Sequence, residues 1–270
     1  MKQKAIQEVR SFQQKVQFVD LNNGSSAYAK KIVSDYSWWT FNDTDIFQRE
    51  MISYKLLEPA ELVPTLVEID QANKQFMVKA VATVQPKGKQ VQPFLDGLLT
   101  LLCTLREILG QEFQACSARH LQNLYYQKGE TARVSLWLLD EMVAILRNWE
   151  KYESQPLSYV HGDLHFGNVL YDGECIRLID FEEAIQSHPV FDAASLSWDV
   201  MDQFGPRMYD YFRRLYQQAF RDDLIDLTEW KRFCKLRDWI VGRYVDQCCG
   251  EAIKEKAHKF ILDTEPYTAG

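Results

Sequence analysis

Residues 158–182 contain the feature that most restricts how this chain can fold. Two short apolar runs, 169–171 and 176–179, are joined through an Asp-Gly pair, which is a strong signal for a β-hairpin. A polar loop that contains Asp163 precedes the first run, and Asp180 follows the second. Because a hairpin returns the chain to its starting point, the pattern predicts that these two aspartates lie close together.

Three side chains in this segment fit the chemistry of phosphoryl transfer. Asp163 would orient a hydroxyl nucleophile and accept its proton, while Asn168 and Asp180 offer the hard oxygen ligands that magnesium prefers. Taken singly, each aspartate could equally cap a turn, and Asn168 could be an ordinary loop amide. Together they match the H-R-D-x-x-x-x-N and D-F-G signature of protein kinases in type and spacing, which favours a kinase.

The motifs HGDLHFGN and LIDFE resemble those of the aminoglycoside phosphotransferase and choline kinase superfamily, which typically read HGDLHxxN and IDFE or IDFD. The resemblance is strongest over residues 158–200. It implies a two-lobed, protein-kinase-like α+β fold and magnesium-dependent transfer of a nucleotide phosphoryl group to a hydroxyl. It also implies that Asp163 is the catalytic base, that Asn168 and Asp180 bind magnesium, that Glu182 assists through water, and that His161 and His165 support the loop.

Asp192 follows the metal motif closely, within the segment HPVFDAASLSW. Its position favours an N-cap for the helix that is predicted to begin there. The resemblance adds that an aspartate at this place braces the catalytic loop, and the two interpretations are compatible.

The pattern of the chain changes after residue 86. Residues 1–86 combine strand-like runs with one long amphipathic helix, whereas residues 87–270 are mostly helical apart from the motif segment. We therefore expect a small β-rich N-terminal lobe and a larger helical C-terminal lobe. The predicted strands are 16–21, 26–33, 65–70 and 75–84, with a turn at 22–25, and the predicted helices are 5–15, 45–57, 92–109, 131–150 and 191–262.

A kinase-like small lobe supplies a strand lysine for the nucleotide phosphates and a helix glutamate that holds this lysine. Glu50, on the predicted helix 45–57, is the candidate glutamate. Lys30 and Lys31 lie on one predicted strand, and strand alternation points only one of them into the cleft. Aligning Ala29-Lys30-Lys31 with the A-x-K end of the kinase strand pattern favours Lys31, while two solvated lysines remain an alternative.

The sequence contains no G-x-G-x-x-G loop, which argues against protein kinases more than against the superfamily named above. ATP is the expected nucleotide, and GTP remains open. The resemblance also implies that a residue between Met77 and Val84 forms the hinge of the lobes and offers backbone groups to the purine.

The formal net charge of −7 argues against a nucleic-acid partner, because such proteins need a basic surface. It suits a cationic small-molecule acceptor, or simply increases solubility. Asp199 and Asp202, close to Trp198, are the candidate acceptor contacts. Arginines in the same region, such as Arg207 and Arg213, would instead suit an anionic acceptor.

The six cysteines form no C-x-x-C pair, which argues against a metal site or a secreted disulfide framework. The first residues lack the apolar core of a signal peptide, and no stretch approaches the roughly 20 apolar residues of a membrane span. These observations predict a cytoplasmic protein and leave its oligomeric state open.

Three functions fit the pattern. The first is a kinase for a small hydroxyl compound, such as an aminoglycoside-, choline- or sugar-like acceptor. The second is a sugar kinase of the lipopolysaccharide-core type, which the Arg49-Glu50 pair resembles, although a membrane-surface substrate would favour a basic protein. The third is a non-catalytic nucleotide-binding protein, against which the complete set of Asp163, Asn168 and Asp180 argues.

Overall fold

A five-stranded antiparallel sheet forms the N-terminal part of the protein, in the order β1-β2-β3-β5-β4. The computed structural model describes residues 5–10, 14–21, 25–32 and 45–248. The strands are β1 (Ala5–Arg10), β2 (Gln14–Asp20), β3 (Ser26–Ile32), β4 (Leu66–Asp70) and β5 (Gln75–Lys79).

Helix α1 (Ile46–Leu57) packs against this sheet and confirms the helix predicted over 45–57. Asp45 caps it, since its side chain accepts a hydrogen bond from the Gln48 N–H over 3.1 Å. On the buried face, Tyr54 packs edge-on against Phe76 of β5, with ring centroids 5.5 Å apart.

The helix predicted over residues 5–15 is wrong, because β1 lies there and β2 begins at Gln14. The two strands pair antiparallel, with Glu8 opposite Gln17. A short segment without an apolar stripe gains little from forming a helix, whereas strand pairing satisfies its backbone groups.

The strand predicted over 75–84 is shorter in the structure, where β5 ends at Lys79. The N–H of Ala80 still donates to the carbonyl of Ser26 over 2.9 Å. Ser26 is the first residue of β3, so no further strand backbone is available for pairing beyond this point. Residues 22–24 of the predicted turn lie outside the described residues.

Six helices complete the described part of the chain. They are α2 (Val91–Glu107), α3 (Ala118–Thr131), α4 (Leu136–Asn148), α5 (Val190–Phe204), α6 (Pro206–Phe220) and α7 (Leu227–Cys248). The one helix predicted over 131–150 is replaced by the end of α3 and all of α4, because the chain reverses through Arg133 at a φ of 52°. The one helix predicted over 191–262 is interrupted at Gly205, where φ is 79°, and again between α6 and α7. Residues 249–262 lie outside the described residues.

Four short strands lie among these helices. Strand β6 (Ser158–Val160) pairs with β9 (Ile185–Ser187), and β7 (Val169–Tyr171) pairs with β8 (Ile176–Leu178). The second pair is the hairpin that the sequence predicts.

A large apolar core connects the sheet with the helices, and a small second cluster lies within the sheet. Tyr54 of α1 packs edge-on against Phe181, which directly follows Asp180, with ring centroids 5.3 Å apart. Leu95 and Leu98 of α2 are completely buried in the same core. A small antiparallel sheet followed by helices confirms the predicted α+β class. Within the described residues, no helix is both long and apolar enough to cross a membrane.

Candidate active site

The hairpin of β7 and β8 brings the three predicted catalytic residues together. The Asn168 side-chain amide donates to the carbonyl of Asp163 over 2.9 Å, and its nitrogen lies 3.4 Å from the Asp163 carboxylate. The N–H of Ile179, which precedes Asp180, donates to the Asn168 carbonyl over 3.2 Å. The convergence expected from the sequence pattern is therefore present.

The completely buried side chain of His161 supports the loop that carries Asp163. Its Nδ1 accepts the N–H of Asp163 over 3.4 Å, so its proton is on Nε2, which donates to the Ile179 carbonyl over 2.9 Å. Burial lowers the pKa of His161, which keeps the ring neutral. This side chain links the loop to β8 and has no proton-accepting nitrogen free for catalysis.

Asp192 holds the start of the loop. Its carboxylate accepts the backbone N–H of His161 over 2.7 Å and that of Gly162 over 3.2 Å. Burial raises the pKa of Asp192 to about 7, against the opposing effect of these two amides. The predicted N-cap role is wrong, since Asp192 is the third residue of α5 and Pro189 occupies the cap position.

His165 lies beside the carboxylate of Asp163. Its Nε2 is 3.6 Å from Asp163 Oδ2, and its Nδ1 accepts the N–H of Gly167 over 3.0 Å. The contact with Asp163 raises the pKa of His165. Burial opposes ionisation of Asp163, but His165 lowers the pKa of Asp163 below its usual range. The Asp163 side chain is 47% exposed, so its carboxylate is accessible to a substrate.

Lys30 of β3 makes two ion pairs. Its Nζ lies 2.7 Å from Asp180 Oδ1 and also contacts the carboxylate of Glu50, which is completely buried on α1. Burial alone would lower the pKa of Lys30, but the carboxylates of Asp180 and Glu50 raise it, so the lysine stays charged. Glu50 also accepts the N–H of Phe181 over 3.1 Å, which ties α1 to the metal motif.

Lys31 lies on the opposite face of β3 and is exposed. The A-x-K alignment that favours Lys31 is therefore wrong by one position. The lysine of that pattern corresponds to Lys30, so its three positions fall on Tyr28-Ala29-Lys30. Tyr28 lines the same cleft as Lys30 and is 41% exposed. Sequence reasoning missed this residue, although an aromatic side chain two positions before a strand lysine must share its face.

Arg49 is a second residue that sequence reasoning did not place in the site. It is buried next to Glu50, and its Nη1 donates to the carbonyl of Glu182 over 2.8 Å. Burial and the nearby Asp180 raise the pKa of the Glu182 carboxyl, and its Oε2 has no hydrogen-bond partner among the described residues. Arg49 and Glu50 of α1 thus both bind the backbone of the two residues that follow Asp180.

The two acidic residues predicted to contact an acceptor have different surroundings. Asp199 accepts a hydrogen bond from the N–H of Phe166 in the catalytic loop, and Asp202 is exposed. On α7, the Arg237 guanidinium pairs with Asp238 over 2.8 Å and contributes to the low pKa of Asp163. Because it accepts the Phe166 N–H, Asp199 holds the loop that carries Asp163.

A cleft of about 240 Å³ adjoins the Lys30–Asp180 pair. Its apolar walls include Val16 and Tyr28 from the sheet and Leu170 and Ile179 from the hairpin segment. Beyond β5, residues 81–83 have no backbone hydrogen bond to another described residue, and Val81 and Thr83 line the cleft. This combination of flat apolar walls and available backbone groups suits a purine base.

The donor set suits a hard divalent cation that also contacts phosphates. Because the Asn168 nitrogen donates to Asp163, the amide oxygen is the atom left for a cation, and Asp180 adds a carboxylate that is 24% exposed. No cluster of three or more His, Cys, Asp or Glu side chains suited to a metal occurs in the described ranges. Two protein ligands fit magnesium, which usually completes its shell with phosphate and water oxygens.

A family model described as "Phosphotransferase enzyme family" matches residues 77–231, which is more than half of the chain. Curated thiamine kinases from Escherichia coli, including strain UTI89, are 26% identical over 122 residues. That segment covers 45% of this chain and 41% of those relatives, so it spans about two fifths of their length.

Solved structures with similar folds cover nearly the whole chain. Choline kinase LicA from Streptococcus pneumoniae has a TM-score of 0.64 at 13% identity, covering 97% of this chain and 94% of that one. Macrolide 2'-phosphotransferase MphH from Brachybacterium faecium has a TM-score of 0.64 at 14% identity, covering 100% and 92%. At such identities the likeness shows the fold, which is that of protein-kinase-like phosphotransferases. The family match over more than half of the chain shows that this protein belongs to the phosphotransferase enzyme family.

Proposed function

We propose that this protein is a kinase that transfers the γ-phosphoryl group of a magnesium-bound nucleotide to a hydroxyl of a small organic acceptor. The observation that carries the proposal is the convergence of Asp163, Asn168 and Asp180 beside the Lys30–Glu50 ion pair, next to the cleft that Lys30 and Asp180 line. Phosphoryl transfer depends on such positioning and charge stabilisation more than on covalent chemistry by the protein.

On the nucleotide side, Tyr28 stacks on the base and Lys30 binds the phosphates. The backbone of residues 81–83 provides donors and acceptors for the edge of the purine, with ATP as the first candidate and GTP tested beside it. Asn168 and Asp180 would hold magnesium, which supplies charge neutralisation for the phosphates when it is bound. The boundary near residue 86, between β5 and α2, fits a division into a nucleotide lobe and a helical lobe.

On the acceptor side, Asp163 orients the hydroxyl and takes its proton as the oxygen attacks phosphorus. Asn168 holds the loop by its amide, and neutral His161 fixes the Asp163 backbone. Asp192 holds the preceding peptide groups. Each of these residues positions the carboxylate of Asp163 and makes no direct contribution to proton transfer.

The acceptor is a small organic molecule with a free hydroxyl. Aminoglycosides, choline-like amino alcohols and sugars are candidates, and the relatives named thiamine kinases and macrolide 2'-phosphotransferases add thiamine and macrolides. A lipopolysaccharide-core substrate is disfavoured because the net charge is −7. The described cysteines are free thiols, which fits the proposed cytoplasmic location.

The test is nucleotide consumption by the purified protein with ATP or GTP, with and without magnesium, across that panel of acceptors. Asp163→Asn removes the base while keeping the shape of the side chain. Asp140→Asn, on the exposed surface of α4, is the matched control. We expect acceptor-dependent turnover in the wild type and the control, and a loss of at least about a hundredfold in Asp163→Asn with unchanged nucleotide affinity.

Equal turnover in Asp163→Asn and wild type would refute the assigned base. Nucleotide binding without turnover on any acceptor would instead favour the non-catalytic alternative.

A further inference from the structure

A second cavity, of about 360 Å³, opens beside the nucleotide cleft. The two spaces share Thr83, from the segment after β5, and Leu170 of β7. The roles proposed above assign no ligand to it, and its volume is within the range of small-molecule sites.

The second cavity is lined by apolar and aromatic side chains together with neutral polar groups. Phe94 packs edge-on against Phe166, with ring centroids 5.4 Å apart, and its ring lies 5.0 Å from that of Tyr171. Gln85 and Gln203 are exposed lining residues. None of the described residues that line the cavity is charged. Because an uncompensated charge is costly to bury, this lining favours an uncharged apolar or aromatic group.

The side chain of His165 contacts both a residue that lines this cavity and the predicted catalytic carboxylate. His165 accepts the N–H of Gly167, a lining residue, over 3.0 Å, and its other ring nitrogen lies 3.6 Å from Asp163 Oδ2. The cavity therefore adjoins the loop that carries Asp163.

The acidic residues expected to bind a cationic acceptor do not line the second cavity. Asp199 accepts the N–H of Phe166 and so fixes the backbone that carries one of the lining rings. Asp202 is exposed to solvent on α5. Recognition in this cavity depends on rings and amides.

We propose that the second cavity binds the non-reacting end of the acceptor, and that this end is an uncharged aromatic or apolar group. The proposal rests on the function proposed above and adds the chemical class of the acceptor. It assigns Phe94, Phe166 and Tyr171 to its apolar contacts, and Gln203 to the rim.

Benzyl alcohol is the probe, and its binding is measured by saturation-transfer NMR with the nucleotide cleft filled by magnesium and the ATP analogue AMP-PNP. Benzylamine and benzoate are the charged comparisons. Gln203→Trp fills the cavity from an exposed position, and Gln218→Trp, on the exposed surface of α6, is the matched control. We expect benzyl alcohol to bind the wild type and Gln218→Trp, at least about tenfold more tightly than either charged probe, and not to bind Gln203→Trp.

Displacement of benzyl alcohol by the nucleotide analogue would overturn the proposal, as would equal binding to Gln203→Trp or equal binding of the charged probes. Failure of the wild type to bind the nucleotide analogue would contradict the proposed function separately. In that case the same comparison without nucleotide still decides whether the cavity binds the neutral ring.

Discussion

At Gly162 the backbone has a φ of 80°, and a Cβ atom there would lie 2.1 Å from the carbonyl oxygen of Glu183. Gly205 has a φ of 79°, but a Cβ atom there would meet no atom within 4 Å. Both glycines avoid the backbone strain of a side chain at positive φ, and Gly205, with a ψ of 179°, lies in a region that essentially only glycine adopts, where a side chain costs about 1–3 kcal/mol. Only Gly162 also permits a close approach between the catalytic loop and the segment after Asp180.

This difference provides a matched pair of variants. Gly162→Ala is expected to lose more stability than Gly205→Ala, because it adds a backbone clash to the strain of a positive φ, whereas Gly205→Ala adds only strain of about 1–3 kcal/mol. The transferase activity of Gly162→Ala should fall as well, since the clash would displace the loop and weaken the hydrogen bond from the backbone N–H of residue 162 to Asp192. Urea unfolding of both variants measures the difference, and equal losses would contradict the role of close packing.

His165 controls the availability of the Asp163 carboxylate through pH. Its pKa is raised above the ordinary 6.5 by Asp163, with smaller contributions from Asp199 and Asp180, so it stays protonated to a higher pH and holds the carboxylate of Asp163. As pH rises through the raised pKa, the imidazole loses its charge and its Nδ1 becomes able to accept the Gly167 N–H, so the Asp163 carboxylate loses a positive neighbour and becomes a stronger base. We therefore expect kcat/KM for the acceptor to rise across that range.

The variant His165→Gln lacks the titrating ring, so it should fold normally but no longer show this rise of kcat/KM with pH. A profile identical to that of the wild type would show that another group is responsible.

Strand β3 places two adjacent lysines on opposite faces, so a substitution of each can be compared within one strand. Lys30→Met leaves the buried carboxylate of Glu50 unpaired, which costs up to about 3–5 kcal/mol, and removes the predicted phosphate contact. Lys31→Met changes an exposed residue on the other face. We expect nucleotide turnover to be lost in the first variant and retained in the second. Retained turnover in Lys30→Met would contradict the assignment.

The elements that the sequence predicts well are those whose signals are local. The β7–β8 hairpin depends on the Asp172-Gly173 turn between two apolar runs, and α1 depends on its own cap and apolar face. Helix α3 was not predicted, because its surface is largely polar and only a few of its side chains, such as Leu121 and Tyr125, are buried. The strand β1 depends on pairing with β2, which a local pattern does not show.

The same distinction applies to the candidate site. Asp163, Asn168 and Asp180 could be identified because they belong to one contiguous motif. The contacts of Arg49 with the Glu182 carbonyl and of Asp199 with the Phe166 N–H join distant segments, so they required the tertiary structure.

In the whole molecule, the Lys30–Asp180 pair connects the sheet to the hairpin across the nucleotide cleft. A magnesium-bound nucleotide in that cleft would contact both parts and stabilise them together. At a concentration of about 100 times Kd it adds about 2.7 kcal/mol, which for a chain of this size corresponds to a rise in Tm on the order of 5 °C.

Thermal unfolding with ATP and magnesium, compared with ATP and EDTA, measures this stabilisation. Asp180→Ala should abolish the magnesium-dependent part of the shift, and Asp140→Ala should retain it. A magnesium-dependent shift that survives in Asp180→Ala would place the cation elsewhere.

Helix α5 holds the catalytic loop at two places. Asp192 binds the backbone at His161 and Gly162, and Asp199, seven residues later on the same face, binds the backbone at Phe166. Seven helical residues rise about 10.5 Å, so the helix fixes the distance that the loop spans between these two contacts. We expect the length of that stretch to be invariant among relatives, since one inserted residue would detach the loop from one of the two aspartates.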